Sequence, residues 1–275
     1  MTVAELWRYP VKSMAGEPLP ALGFSERGGL GDRRFALIDI ASGRVGSAKL
    51  PRRWGRLIAC SARLADAGDA SALSVRLPDG TTVAGPGPDL DAALTELLGF
   101  DVQVGSDVPA DAQIDRYWPD VEGLALRDTE TTGRIGGAAP GTFFDHAPVH
   151  LVTTAALATI QVERPGLALD ARRFRPNIVI DAGPTDDPFP ENGWVGRELT
   201  IGTVRLRVSD PTPRCVVPTL SHGDLPPDPG LLRRIAVRNT VPVPGAGSAA
   251  MPSLGVYATV IAGGTVATGD PVRLG

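Results

Sequence analysis

The stretch Leu73-Ser74-Val75-Arg76-Leu77-Pro78-Asp79-Gly80-Thr81 indicates the kind of fold that this chain adopts. Apolar and polar residues alternate from Leu73 to Leu77, and a period of two is typical of a strand with one buried face. A turn follows at Pro78-Asp79-Gly80, because proline presets one backbone dihedral angle and glycine tolerates a positive φ. We therefore predict a β-hairpin here.

Short apolar runs bounded by turns recur along the whole chain. They include Phe35–Asp39, Leu57–Ala62, Ile178–Ile180, Leu199–Val208 and Tyr257–Ile261. The 33 glycines and 26 prolines also favour many short strands over long helices. We predict a mostly β (α+β) fold, with an N-terminal β-barrel-like domain followed by a β-barrel with peripheral helices.

Two segments have the pattern of helices. The first runs over Leu90–Leu98, with Asp89 or Asp91 as its cap and Gly99 as its stop. The second runs over Thr153–Arg164, with Thr153 or Thr154 as N-cap and Pro165-Gly166 as its stop.

Polar, irregular sequence from Val104 to Pro119 marks the expected domain boundary, which divides the chain into residues 1–115 and 116–275. Val241–Ser253 is rich in proline, glycine, alanine and serine and lacks apolar periodicity. We expect a mobile loop there.

Composition excludes several classes of protein. The formal net charge of −4 argues against a nucleic-acid partner, which would require a basic excess. We expect no membrane partner, because no apolar run is long enough to cross a bilayer. The first residues lack the pattern of a secretory signal, and two cysteines do not make a disulfide framework. These features favour a location in the reducing cytoplasm.

Cys215 is the most informative single residue. It lies in the proline-rich stretch Pro211–Thr219, directly after Arg214, whose charge favours the thiolate form of a neighbouring cysteine. A thiolate acts as a nucleophile or as a metal ligand. The alternative is a small buried hydrophobic residue, which is what most free cysteines are. Cys60 is the only other cysteine, so a cage of several cysteines around a metal is impossible.

Three basic clusters could bind an anion. Lys12-Ser13 follows a strand-like run, a glycine-rich turn precedes Arg33, and Arg175-Pro176-Asn177 precedes an apolar strand. Each could equally be a solvated surface cluster. Together they make sense if they converge on one anionic ligand.

The histidines His146 and His150 do not form a zinc pair of the usual helical kind. Pro148 lies between them, so they cannot share the face of one regular helix.

Taken together, these motifs resemble the family in which a MOSC N-terminal β-barrel domain precedes a MOSC domain, the family that includes the amidoxime-reducing components. Each motif is weak alone, but their joint occurrence in this order is specific and spans nearly the whole chain. The stretches that carry the resemblance are Tyr9–Ser13, Gly31–Phe35, Val149–Thr154, Arg173–Ile178, Arg214–Val216, Gly255–Ala258 and Val266–Val272.

The resemblance implies a molybdenum cofactor, with the thiolate of Cys215 as a direct and chemically soft ligand of molybdenum. Pyridoxal phosphate binding is associated with the family only at the level of the family as a whole. The residues that would hold the pterin and its phosphate are Lys12, Ser13, Arg33, Thr153, Thr154, Arg175, Asn177 and Arg214.

The resemblance also implies an oxidoreductase that reduces N-hydroxylated or related N–O small molecules. Its electrons would come from a separate flavin or iron–sulfur protein, because two cysteines cannot hold an iron–sulfur cluster. Departures from the family pattern at Pro213 and at Leu220–Gly223 concern the substrate pocket more than the cofactor.

Two other functions stay open. The chain could carry sulfur or the molybdenum cofactor by means of a persulfide on Cys215, without redox turnover, or it could be a catalytically silent binding domain. Molybdenum content separates the enzyme from the sulfur carrier.

Overall fold

The structure is a computed structural model that describes residues 1–121, 127–135, 139, 141–162 and 169–275. Strands dominate the described part of the chain, which confirms the mostly β fold.

The N-terminal half contains short strands with two helices, α1 (Pro51–Trp54) and α2 (Pro88–Leu98). Its strands are β1 (Thr2–Arg8), β2 (Glu17–Pro18), β3 (Ala21–Ser25), β4 (Gly28–Gly29), β5 (Ala36–Asp39), β6 (Ser61–Leu64), β7 (Leu73–Arg76), β8 (Thr82–Gly85), β9 (Val102–Gly105), β10 (Gln113–Trp118) and β11 (Thr129–Arg134).

The C-terminal half adds longer strands and the helices α3 (Thr154–Gln161) and α4 (Leu231–Arg238). Its strands are β12 (Val149–Thr153), β13 (Ile178–Asp181), β14 (Glu198–Ile201), β15 (Val204–Pro213), β16 (Thr240–Val243), β17 (Ala249–Ala262), β18 (Gly264–Ala267) and β19 (Val272–Leu274).

A nine-stranded sheet organises the C-terminal half, and the N-terminal residues complete it. The strand order is β19-β14-β15-β17-β12-β13-β1-β2, with β16 paired to β17. Strand β1 is antiparallel to β13, with Leu6 opposite Ile178, and β12 is parallel to β13, with Leu151 also opposite Ile178. Strand β3 of the N-terminal half pairs antiparallel with β18 of the C-terminal half. The two halves are therefore joined by shared strands.

This sheet is buried on both faces. Leu151 and Ile178 pack into one apolar core, whereas their chain neighbours Val152 and Val179 pack into another, because successive side chains of a strand point to opposite faces. Helices α3 and α4 cover the second face, where Ile235 lies in the same core. A separate core fills the N-terminal half, around residues such as Phe35 and Leu90.

Most of the local turn and cap signals are confirmed, but the aspartate cap expected for the first helix is wrong. Strands β7 and β8 form the predicted hairpin. Helix α2 ends at Gly99, which has φ 81°, although its N-cap is Gly87 and not an aspartate. Thr153 caps α3 by accepting a hydrogen bond from the Ala156 N–H. The expected end of that helix, at 164–166, lies outside the described residues.

Several expected elements differ. Residues 55–59 form a 3-10 turn that continues α1, and the strand predicted at Leu57–Ala62 begins only at Ser61. The run Leu199–Val208 is a hairpin of β14 and β15 and not one strand. The loop expected at Val241–Ser253 is also a hairpin, because β16 pairs with the extended start of β17.

Two further features were not predicted. One is helix α4, which is amphipathic, with Leu231, Leu232 and Ile235 buried. Strand β10 runs through the boundary expected between residues 115 and 116 and pairs with β11. The division of the chain into two domains at that position stays a prediction. Among the described residues, no helix is long and apolar enough to span a membrane.

Gly255 allows β17 to approach β12 closely. It has φ 78°, and a Cβ atom there would lie 2.3 Å from the Leu151 carbonyl oxygen and 2.8 Å from His150 Nε2. Gly269 has a similar φ of 90°, but nothing lies within 4 Å of the position of its Cβ. A side chain at Gly255 would therefore meet both a steric clash and an unfavourable φ, whereas one at Gly269 would meet the unfavourable φ alone.

We predict that Gly255→Ala lowers the free energy of unfolding by about 3 kcal/mol or more, because a backbone clash adds to the left-handed penalty. Gly269→Ala should cost only about 1–2 kcal/mol, the left-handed penalty alone. Urea unfolding of both variants measures the difference, and equal losses would show that the contact between β17 and β12 is not tight.

Candidate functional site

A cleft opens between the N-terminal loops and the C-terminal sheet; we call it the central cleft. Its N-terminal wall is formed by Lys12, Ser13, Arg33 and Ser47–Lys49. Its C-terminal wall is formed by Phe143–Ala147, His150, Arg173–Arg175, Asn177, Pro213–Cys215, Val217, Pro218 and Tyr257.

The structure brings together seven of the nine site residues predicted from the sequence, and these line the cleft in spite of their wide separation along the chain. They are Lys12, Ser13, Arg33, Arg175, Asn177, Arg214 and Cys215.

Thr153 and Thr154 are not brought into the cleft. The Thr153 hydroxyl donates to Glu191 Oε2 at 2.6 Å and caps α3, so its hydrogen-bonding capacity is used inside the protein. The Thr154 hydroxyl lies 3.4 Å from Asp181 Oδ1. Nothing in this geometry supports the cofactor contact expected of these two residues.

The cleft has a strong excess of positive charge. Among the described residues, six lysine and arginine side chains line it, and Asp145 is the one carboxylate in its lining. Lys12 donates to Asp145 at 2.5 Å and to the Phe143 carbonyl at 3.0 Å, and Lys49 lies 3.1 Å from the other oxygen of Asp145. One carboxylate therefore serves two ammonium groups, of which Lys12 is buried and Lys49 half-buried.

The pKa values of these groups reflect their burial and the fact that one negative charge faces two positive ones. Burial lowers the pKa of Lys12 to about 8, although Asp145 opposes that shift. Burial alone would raise the pKa of Asp145, but the charges of Lys12 and Lys49 outweigh it and hold that pKa well below its usual range. The cleft can therefore accommodate further negative charge.

Arg33 is held by a buried aspartate and an aromatic ring. Asp32, its chain neighbour, accepts from the Arg33 guanidinium, which also donates to the Arg175 carbonyl at 3.0 Å. The guanidinium lies 4.4 Å from the centre of the Tyr9 ring. Asp32 in turn accepts from the Tyr9 N–H at 2.7 Å and from the Asn177 amide at 2.9 Å.

The side-chain amide of Asn177 forms its hydrogen bonds within the protein. Besides Asp32, its amide nitrogen lies 3.4 Å from the Trp7 carbonyl, and its oxygen accepts from the His150 N–H at 3.1 Å. The side chain thus ties β1, β12 and β13 together behind the wall of the cleft.

Arg175 has donors to spare. One Nη donates to the Met14 carbonyl, and the guanidinium lies 4.4 Å from the centre of the Tyr9 ring. Burial, followed by repulsion from Arg33, lowers the pKa of Arg175 to about 10. Because its charged form is destabilised by burial and by Arg33, the Arg175 guanidinium is suited to bind an anion.

Three cleft residues have left-handed backbone conformations that non-glycine residues rarely adopt. Ser13, Arg33 and Arg175 have φ values of 68°, 45° and 57°. Such strain persists only where surrounding structure imposes it, and it is concentrated at functional sites. The Ser13 hydroxyl accepts from the Ala48 N–H at 2.9 Å, which leaves its own proton for a ligand.

Cys215 follows the end of β15 and is only partly buried. Arg214 before it points inward, where Nε donates to the Leu254 carbonyl at 2.9 Å and Nη2 donates to His150 Nε2 at 2.5 Å. Burial and the nearby Arg214 hold the pKa of His150 well below its usual range, so this ring is neutral. Arg214 therefore anchors the loop that presents the thiol.

Sequence reasoning missed Lys49, Asp145, His146 and Tyr257 as cleft residues. The stretch around His146 was considered only as a zinc pair. Among the described residues, no group of three or more histidine, cysteine or acidic side chains could hold a metal ion.

Two family models match the chain. The MOSC N-terminal beta barrel domain matches residues 1–118, and the MOSC domain matches residues 138–273.

Known relatives are similar in sequence to this protein over nearly its full length. Mitochondrial amidoxime reducing component 2 of Macaca fascicularis is 27% identical over 98% of this chain and 82% of its own length. Mitochondrial amidoxime-reducing component 1 of Homo sapiens is 26% identical over 99% and 82%, respectively. Among solved structures, the YUAD protein of Bacillus subtilis is similar over 99% of this chain and 94% of its own, at 13% identity and a TM-score of 0.45.

We predict that Asp145→Asn lowers the free energy of unfolding of the protein without a ligand by about 2 kcal/mol at neutral pH, because it leaves two ammonium groups without a counter-ion. The folded pKa of Asp145 is depressed, so its contribution is present above about pH 4 and is lost as the pH falls through the folded pKa. The difference between wild type and variant in urea unfolding should therefore shrink below about pH 4.

Glu130→Gln is the matched control, since its ion pair with Arg52 is largely exposed and should contribute little. A loss for Asp145→Asn no larger than that of the control would contradict this account of the cleft.

Proposed function

We propose that the chain, which belongs to the family of proteins in which a MOSC domain follows a MOSC N-terminal beta barrel domain, is an oxidoreductase that binds a molybdenum cofactor in the central cleft. Its substrates would be small molecules with an N-hydroxylated or related N–O group. The observation that carries the proposal is one cleft that combines a partly buried thiol with six cationic side chains. The names of the relatives support the same reaction class.

The chemistry of the cleft fits an anionic pterin with a phosphate. A phosphate needs several strong donors, and the cleft supplies ammonium and guanidinium groups balanced by one carboxylate. The Cys215 thiolate would be a soft ligand suited to molybdenum. When bound, the cofactor would supply the two-electron redox chemistry that N–O cleavage requires.

The hydrogen bonds divide the predicted residues into two groups. Lys12, Ser13, Arg33 and Arg175 would hold the anion directly, because each keeps a donor that no other described residue uses. Asn177 would act as a positioning residue through Asp32, which holds Arg33.

Arg214 would also act by positioning. Its guanidinium donates to the Phe174 and Leu254 carbonyls and to His150, so it would hold the backbone from which Cys215 projects. Electrons would come from a separate flavin or iron–sulfur protein, since two cysteines are too few for a cluster in this chain.

We predict that Cys215→Ala, made in a host that synthesises the cofactor, loses bound molybdenum and lowers the rate of amidoxime reduction at least about 100-fold. Elemental analysis, pterin fluorescence and turnover with a chemical electron donor measure these effects. The melting temperature should change little, because Cys215 is partly exposed and its removal leaves no large cavity.

Cys60→Ala is the matched control. Cys60 is fully buried in the N-terminal core, and burial raises its pKa to about 12, so its thiol is inert. This variant should keep its molybdenum while losing some stability. Full molybdenum and activity in Cys215→Ala would refute the proposed function. Wild-type protein that purifies without molybdenum, but with sulfur on Cys215 that a reducing thiol removes, would favour the sulfur carrier.

A further inference from the structure

We infer that His146, oriented by Asp210, donates the proton to the leaving oxygen when the N–O bond breaks. The inference rests on the proposed function and assigns a role to a histidine of the central cleft that the cofactor site does not use.

The ring of His146 is fixed on two sides. Its Nε2 lies 3.3 Å from Asp210 Oδ2, and its ring centre lies 5.0 Å from that of Tyr257. The side chain is 40% exposed, so it is accessible from the cleft. Among the described residues, no group forms a hydrogen bond with its other nitrogen, Nδ1. Nδ1 is therefore the nitrogen available to a substrate.

The contacts of Asp210 hold its carboxylate where it can orient this ring. It is buried, and its Oδ1 accepts from the Gly245 N–H at 2.6 Å, which leaves Oδ2 to accept from His146. A carboxylate in that position selects the form of the ring with a proton on Nε2. When Nδ1 also carries a proton, the ring and Asp210 form a general acid with its orienting partner.

Gly245 makes the close approach possible. A Cβ atom there would lie 2.9 Å from His146 Cε1 and 3.0 Å from Asp210 Oδ1. The position therefore offers a steric way to disturb the pair without changing either of its chemical groups.

The reaction needs such a donor. Cleavage of R–NH–OH to R–NH2 and water consumes two electrons and two protons. The separate redox protein would supply the electrons, and the cofactor, when bound, would provide the two-electron chemistry. The N–O bond breaks as the doubly protonated ring of His146 gives the proton on Nδ1 to the oxygen, which leaves as water, and the nitrogen takes the second proton from solvent. The ring is left neutral with its proton on Nε2, and solvent returns the proton to Nδ1 before the next turnover. Without that proton the oxygen would have to leave as hydroxide, a much poorer leaving group.

Other titratable groups of the cleft are less suited. Lys12 is engaged by Asp145 and the Phe143 carbonyl, and the Nε2 of His150 accepts from Arg214. Burial raises the pKa of Tyr257, which makes it a weaker acid than a free phenol. His146 is the cleft histidine whose second ring nitrogen is left open.

The first test is kinetic. We expect His146→Gln to retain molybdenum and pterin and to lower kcat for benzamidoxime about 100-fold, with KM changed only a few-fold, using reduced methyl viologen as electron donor. Asp210→Asn and Gly245→Ala should lower kcat by smaller factors. Imidazole should restore turnover to His146→Ala, whereas pyrazole, a far weaker base of similar size, should not.

Asp79→Asn is the control for Asp210→Asn, because Asp79 also accepts a backbone N–H but lies in the exposed turn between β7 and β8. Active wild type together with a His146→Gln variant that keeps its kcat within threefold would overturn the inference and leave the proposed function intact. Inactive wild type without molybdenum would instead overturn the proposed function, and the inference with it.

The second test needs neither cofactor nor activity. The chain has three histidines, so ¹⁵N spectra of the imidazoles can be assigned with single substitutions. We expect the neutral His146 ring to carry its proton on Nε2 in the wild type and to lose this preference in Asp210→Asn and Gly245→Ala. An unchanged preference in both variants would show that Asp210 does not orient the ring.

Discussion

The buried carboxylate of Asp32 is the interaction on which the site depends. It accepts from the backbone of Tyr9, from the Arg33 guanidinium and from the Asn177 amide, and these groups come from three separate segments. Asn177 extends the network to β12 through the His150 N–H. One charge therefore sets the position of an anion-binding arginine and links the strands that surround it. A buried carboxylate without these donors would be strongly destabilising, so the segments must assemble together.

The cleft is organised for a ligand at some cost to stability. Among the described residues that line the cleft, cations outnumber Asp145, the one lining carboxylate, and three residues with left-handed backbones each cost roughly 1–2 kcal/mol. An anion that binds only the folded protein offsets both costs, in proportion to the logarithm of its concentration over its dissociation constant. Cofactor binding and folding stability are thus coupled, which explains why the strain and the charge lie in the same place.

The sequence predicted well those features that depend on local chemistry. The hairpin of β7 and β8, the stop at Gly99 and the cap at Thr153 each follow from a few adjacent residues. The meeting of Lys12 and Arg175 in one cleft followed from a different argument, that an anion requires donors from several segments.

Lys49 and Asp145 carry no such local signal, because what makes them part of the site is a contact between distant segments. The hydroxyl of Thr153 shows the opposite difficulty, since the same chemistry that suits an anion also suits the end of its own helix, where the structure places it.

Strand β1 explains how two sequence-distant halves form one site. Its end leads directly to Tyr9 and the Lys12-Ser13 loop, and its partner β13 begins directly after Arg175 and Asn177. The pairing of Leu6 with Ile178 therefore fixes where both anion-binding segments emerge. A shift of this pairing by one residue would also take Val3 and Leu6 out of the core that they share with Ile178, so the apolar packing opposes it strongly. The register that buries the core is the same register that aligns the cleft, and the hydrophobic pattern of β1 thereby specifies the geometry of the binding site.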